Sequence, residues 1–134
     1  MRLTSLALAL AGVAFSAMAA VAQTAIKPAI VYDKGGKFDK SFNEAAYAGA
    51  EKWKAETGGT YKELEMQSEA QREQALRRLA ETGANPIVMT GFAFAEVLKK
   101  VAPDYPDTRF VIIDSAVEGP NIQSNLFADE QGSY

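Results

Sequence analysis

Short apolar runs separated by amphipathic stretches recur along the sequence, and no feature limits its fold more. Residues 27–33 (KPAIVYD), 85–90 (NPIVMT) and 108–114 (TRFVIID) are runs of strand length, two of them ending in an Asp. Residues 60–66 and 121–127 carry weaker strand signals. Between them lie stretches of helical period: 41–57, with Phe42, Ala45, Ala46, Gly49, Ala50 and Trp53 on one face; 69–81, with Ala75, Leu76, Leu79 and Ala80; and 92–102, with Val97, Leu98 and Val101. Gly58, Gly59 and Gly83 suit helix ends, and Pro103 and Pro106 break the last helix. Strands alternating with helices of this length predict βαβ units, a parallel sheet and right-handed crossovers. The expected fold class is α/β, a three-layer Rossmann-like sheet.

In such sheets ligands bind beyond the carboxyl ends of the strands, where the loops converge. Three loops here carry the polar and aromatic residues that a site needs. Asp33 opens the first, which continues through Phe38 and Asp39 to Asn43. Gly91 and Phe92 follow the middle strand, and Asp114 ends the fourth. A flat ring such as Phe38 can stack on a heterocycle, Asp33 and Asp114 can accept from N–H or O–H groups, Asn43 can donate and accept, and Gly91 lets backbone approach a ligand. Each residue also has a structural use. Phe38 can cover the core, and Phe42 is expected to belong to it. Asp39 or Ser41 can cap the helix, Asn43 can serve local backbone, Asp114 can cap a loop, and Phe92 fits either role. Spacing alone supports an α/β domain with a polar and aromatic pocket.

Several chemistries are removed outright. The 134 residues include neither Cys nor His, which excludes disulfides, thiol catalysis and the commonest metal ligand. Neither a Walker A motif nor G-x-G-x-x-G occurs, and a net charge of −3 without a basic cluster offers nothing to nucleic acid. No catalysis, cofactor or metal is expected. Residues 1–22 have the organisation of an export signal: Arg2, an apolar run over 6–15, and the small residues Ala20 and Ala22 before Gln23. A membrane anchor is the alternative, disfavoured by the small-residue end and the polar pair that follows. The mature protein is expected to be free in a periplasm, touching a membrane only through a permease.

The stretches DKGGKFDKSFNEAAYAGAEKW, GANPIVMTGFAFAEVLKKVAPDYP, TRFVIIDS and NIQSNLFADEQGSY together resemble the basic membrane protein family of ABC-transporter solute receptors, whose best-known branch binds purine nucleosides. The resemblance runs from about Lys27 to Tyr134. It implies a two-lobed type I periplasmic binding protein that closes on its ligand, of which residues 23–134 would form most of the first lobe. By position, Asp33 and Asn43 match residues that hydrogen-bond the base and Phe38 matches the stacking residue. Asp114 matches a carboxylate at or beside the ribose, and Gly91 and Phe92 fall in the pocket loop. The implied partners are a nucleoside and an ABC permease. Alternatives are a receptor for another solute such as a sugar, an exported flavodoxin-like domain, or a truncated product without function.

Overall fold

The computed structural model describes residues 26–128. Residues 1–22, expected to be an export signal, lie outside the described residues, as does the tail from Asp129. Five strands form one parallel sheet: β1 (Ala29–Tyr32), β2 (Lys62–Glu65), β3 (Ile87–Thr90), β4 (Phe110–Ile113) and β5 (Ile122–Asn125), in the order β2-β1-β3-β4-β5. Three helices connect them: α1 (Phe42–Thr57), α2 (Gln71–Glu81) and α3 (Ala95–Val101). Short 3₁₀ turns at Phe92–Phe94 and Ala102–Asp104 flank α3, so Pro103 sits inside the second turn and does not end the helical stretch.

The strand sequences follow their places. Central strands of a parallel sheet are covered on both faces and read as unbroken apolar runs, as in AIVY of β1 and FVII of β4. The edge strands β2 (KELE) and β5 (IQSN) put charged and polar side chains where another chain could otherwise pair. The chain leaves β1 toward β2 through α1 and returns past β1 to β3 through α2. Crossovers of one hand in opposite directions place α1 and α2 on opposite faces. β1 and β3 therefore flank the switch point of the sheet, where the two connections diverge.

The main core lies on the α2 and α3 face. Ala75, Leu76, Leu79, Leu98 and Val101 pack against Val31, Ile87, Met89, Phe110 and Ile112. Gly83 closes α2 with φ +80°, its N–H donating to the Ala80 carbonyl at 3.0 Å and that of Ala84 to Leu79 at 3.0 Å. This Schellman geometry is the one a glycine at that position predicts. The α1 face departs from expectation. Of the sixteen residues of α1 only Asn43 is buried, and Phe42, expected in the core, is 46% exposed. Ala46, Gly49 and Ala50 are too small to fill the space over the sheet. A hollow of about 350 Å³ remains between them and Ile30, Val88 and Ile113.

Candidate functional site

The carboxyl ends of the strands bring the loop after β1 into contact with the end of β3 at the switch point. The Asp33 N–H, one residue past β1, donates to Asn43 Oδ1 at 3.1 Å and to Thr90 Oγ1 at 3.1 Å. Asn43 Nδ2 returns a bond to the Asp33 carbonyl at 3.1 Å, and the Thr90 hydroxyl also bonds Asn43 Oδ1. Asn43 is only 3% exposed. Its amide is thus spent mostly on the chain itself, clamping the end of β1 to the end of β3, and only the second Nδ2 hydrogen is left to offer a ligand. The local-backbone use of Asn43 is the one the geometry displays.

Asp39 also has an internal task. Its Oδ1 accepts from the N–H groups of Ser41 at 2.8 Å and Glu44 at 3.2 Å, and its Oδ2 from that of Asn43 at 3.4 Å. Ser41 makes no side-chain capping bond, so Asp39 satisfies the open N–H groups of the first turn of α1.

Asp33 itself stays partly exposed, its side chain 25% accessible, at the β1–β3 notch, the gap at the switch point where the loops after these two strands diverge. Its Oδ1 accepts from Arg72 Nε at 3.1 Å and Nη2 at 2.7 Å. Arg72 is 8% exposed and lies 5.5 Å from the centre of the Phe94 ring. Gly91 comes next to Asp33: its φ of +96° with ψ of 155° is a conformation reserved for glycine, and a Cβ there would lie 3.9 Å from Asp33 Oδ2. The Gly91 N–H donates to the Ile113 carbonyl at 3.1 Å and that of Asp114 to the Asn125 carbonyl at 2.8 Å, so the ladder continues past the strands. Asp33, Gly91 and Asp114 consequently occupy one row across β1, β3 and β4, with Asp114 roughly 10 Å from Asp33 by strand spacing. Asp114 holds φ +65°, a left-handed conformation that Asp tolerates better than most residues.

The aromatics divide. Phe38 is 65% exposed but turns edge-on to Tyr47, with ring centres 5.4 Å apart, and Lys37 Nζ lies 4.9 Å from the Tyr47 ring. Lys37 in turn bonds Glu63 of β2 at 2.8 Å, which puts Phe38 on the β2 side of the notch. Phe42 leans on Phe127, beyond β5, at 5.7 Å and stands on the opposite side. Phe92 follows Gly91 and is 72% exposed. The loop on the β2 side is braced by Glu63. Burial opposes its charge, yet hydrogen bonds from Lys37 and Tyr32 outweigh burial and hold the carboxyl below its ordinary value of 4.5. Burial and Glu63 together push the Tyr32 hydroxyl upward.

Arg72, Thr90 and Phe94 were not among the sequence-derived site residues. Arg72 did carry a signal: it precedes Ala75, Leu76 and Leu79 on the apolar stripe of α2, where a charged residue requires a partner. Among the described residues no cluster of three acidic side chains suited to a metal occurs, and no helix is long and apolar enough to cross a membrane.

Residues 26–134 match the family model described as ABC transporter substrate-binding protein PnrA-like. The chain belongs to that family. It is 37% identical over 109 residues to an uncharacterized lipoprotein of Pyrococcus horikoshii, covering 79% of this chain and 27% of the relative. It is 30% identical over 119 residues to the ABC transporter nucleoside-binding protein BmpA of Lactococcus lactis, covering 84% of this chain and 33% of that protein. The crystal structure of an ABC transporter solute-binding protein from Aeropyrum pernix superposes with a TM-score of 0.72 at 36% identity, over 76% of this chain and 28% of that one. The match to these family members thus spans about a third of their length or less. The sheet is that of a periplasmic binding protein lobe, as the family implies.

Proposed function

We propose that this chain is the first ligand-binding lobe of an ABC importer's solute receptor, and that it captures a purine nucleoside at the β1–β3 notch without transforming it. The observation that carries the reading is the row of groups at the carboxyl ends of β1, β3 and β4. Asp33 keeps one carboxylate oxygen open beside Gly91, with Asp114 in the same row and the exposed ring of Phe42 next to Asn43. A ring of this kind covers one face of a planar base, and stacking contributes about 1–3 kcal/mol per base. The Asp33 carboxylate accepts from the base edge, and Asp114 accepts from ribose hydroxyls. The stack is assigned to Phe42, which adjoins the Asn43 clamp between β1 and β3, whereas Phe38 lies against Tyr47 on the β2 side; each ring has one aromatic neighbour. Family membership and the nucleoside-binding name of the Lactococcus relative support the ligand class.

In this reading residues 1–22 direct export and are removed, residues 23–134 form the lobe, and a second lobe closes over the other face of the base. Closure shifts the population toward a shut, loaded form that a membrane permease accepts. The protein works in the periplasm. Amide NMR titration with inosine, guanosine, adenosine and free ribose tests the ligand. Nucleosides should shift Gly91, Phe92 and Asp114 saturably, and ribose alone should not. Tighter binding of ribose than of any nucleoside would contradict the assignment.

A further inference from the structure

Arg72 reaches from α2 on one face of the sheet to the notch at its edge, where it meets a single oxygen of Asp33. Both contacting nitrogens, Nε at 3.1 Å and Nη2 at 2.7 Å, converge on Oδ1. Oδ2 takes no hydrogen bond from any described residue and faces the bare backbone of Gly91. A guanidinium usually meets a carboxylate fork to fork, engaging both oxygens. Here it saturates one and leaves the other whole. The arrangement is rigid, because the guanidinium is planar, sits on a side chain only 10% exposed, and is backed by the Phe94 ring at 5.5 Å.

We infer that Arg72 is a positioning residue that aims Asp33 Oδ2 into the notch and thereby selects ligands whose edge carries an N–H donor. The inference rests on the nucleoside reading above. Buried beneath Asp33, Arg72 acts only through that carboxylate. A carboxylate with one oxygen held is acceptor-only toward a ligand, so a base edge offering only an acceptor meets a lone pair with a lone pair. The positive charge of Arg72 balances Asp33, so the site needs no cation in the ligand. Without Arg72 the carboxylate can rotate, and the direction of its free oxygen is lost before its charge is.

Inosine, which carries N1–H, and purine riboside, which lacks it, separate this role from a general structural one. Their dissociation constants are measured by amide NMR titration of the wild type, Arg72→Met, Arg72→Lys, Asp33→Asn and the Arg72→Met, Asp33→Asn double variant. The wild type should prefer inosine about tenfold, the order a hydrogen bond to a charged acceptor contributes. Arg72→Met should bring the two ligands within about twofold of each other by weakening inosine while purine riboside holds. In the Asp33→Asn background Arg72→Met should change the ratio no further. Arg72→Met retains length and apolar contact with Phe94. If its spectrum is not native, Arg72→Lys carries the comparison, because one ammonium cannot reproduce two converging donors and the preference should fall at least threefold. Equal weakening of both ligands, or an unchanged ratio, overturns the positioning role. A wild type that binds neither nucleoside refutes the nucleoside reading itself and the role with it.

Discussion

Replacing Asn43 should unfasten β1 from β3, and the cost follows from its bonds. Asn43→Ala removes the acceptor of the Asp33 N–H at 3.1 Å, the donor to the Asp33 carbonyl at 3.1 Å, and the partner of the Thr90 hydroxyl. Two of these losses are cushioned. The Asp33 N–H retains Thr90 Oγ1 at 3.1 Å, and the Thr90 hydroxyl has the Val31 carbonyl at 3.4 Å. The Asp33 carbonyl keeps only the long bond from the Gly36 N–H, at 3.4 Å. A net bond contributes about 0.5–1.5 kcal/mol, and a buried group left unpaired costs about 1–3 kcal/mol. The sum is about 2–3 kcal/mol, a large share of the roughly 5–15 kcal/mol that holds a domain together. Urea unfolding followed by circular dichroism should show that loss, with an unchanged dependence on urea. Asn43→Asp keeps the shape but turns the donor toward the Asp33 carbonyl into an acceptor, and should cost at least as much. A loss below ~0.5 kcal/mol, the range of ordinary surface substitutions, would show that the clamp does not hold the sheet edge.

Phe42→Ala should weaken inosine binding at least fivefold in NMR titration, the low end of a stacking contribution, whereas Phe38→Ala should change it less than twofold; the reverse order would return the stack to Phe38. Gly91→Ala should destabilise by about 1–3 kcal/mol in urea unfolding, because φ +96° excludes a side chain even though its Cβ would find ordinary contact distances; neutrality would contradict the assigned backbone. Glu63 has a folded pKa below its ordinary value of 4.5, so the stability it adds is fully present above pH 4.5 and is lost as pH falls through the folded value. Glu63→Gln should therefore flatten the acid limb of a Tm profile measured from pH 7 to 3, and an unaltered limb would remove Glu63 from the account.

Much of the framework was legible because the causes were local. The apolar runs of β1, β3 and β4 declare strands buried on both faces, and the stripe Ala75, Leu76, Leu79 and Ala80 declares the buried side of α2. Asp33, Gly91 and Asp114 were legible as a row because strand ends in a parallel sheet share one edge. What failed depended on longer reach. The helical period puts Phe42 on the apolar face of α1, but its position in the first turn carries it past the edge of the sheet. Phe92 and Phe94 look alike in sequence. The 3₁₀ turn that holds them gives one to solvent and the other to the core, a difference of local winding. The backbone use of Asn43 was legible, but its bond with Thr90, 47 residues along the chain, was not. Arg72 and Asp33 lie 39 residues apart, and no local pattern joins them.

Contacts between bound nucleoside and protein protons test the central claim most directly. Intermolecular NOEs from inosine H8 and H2 to the ring of Phe42, and from either to the amide of Gly91, are the predicted result. NOEs confined to Phe38 and Tyr47, or to the hollow beneath α1, would place the ligand elsewhere and contradict capture at the β1–β3 notch.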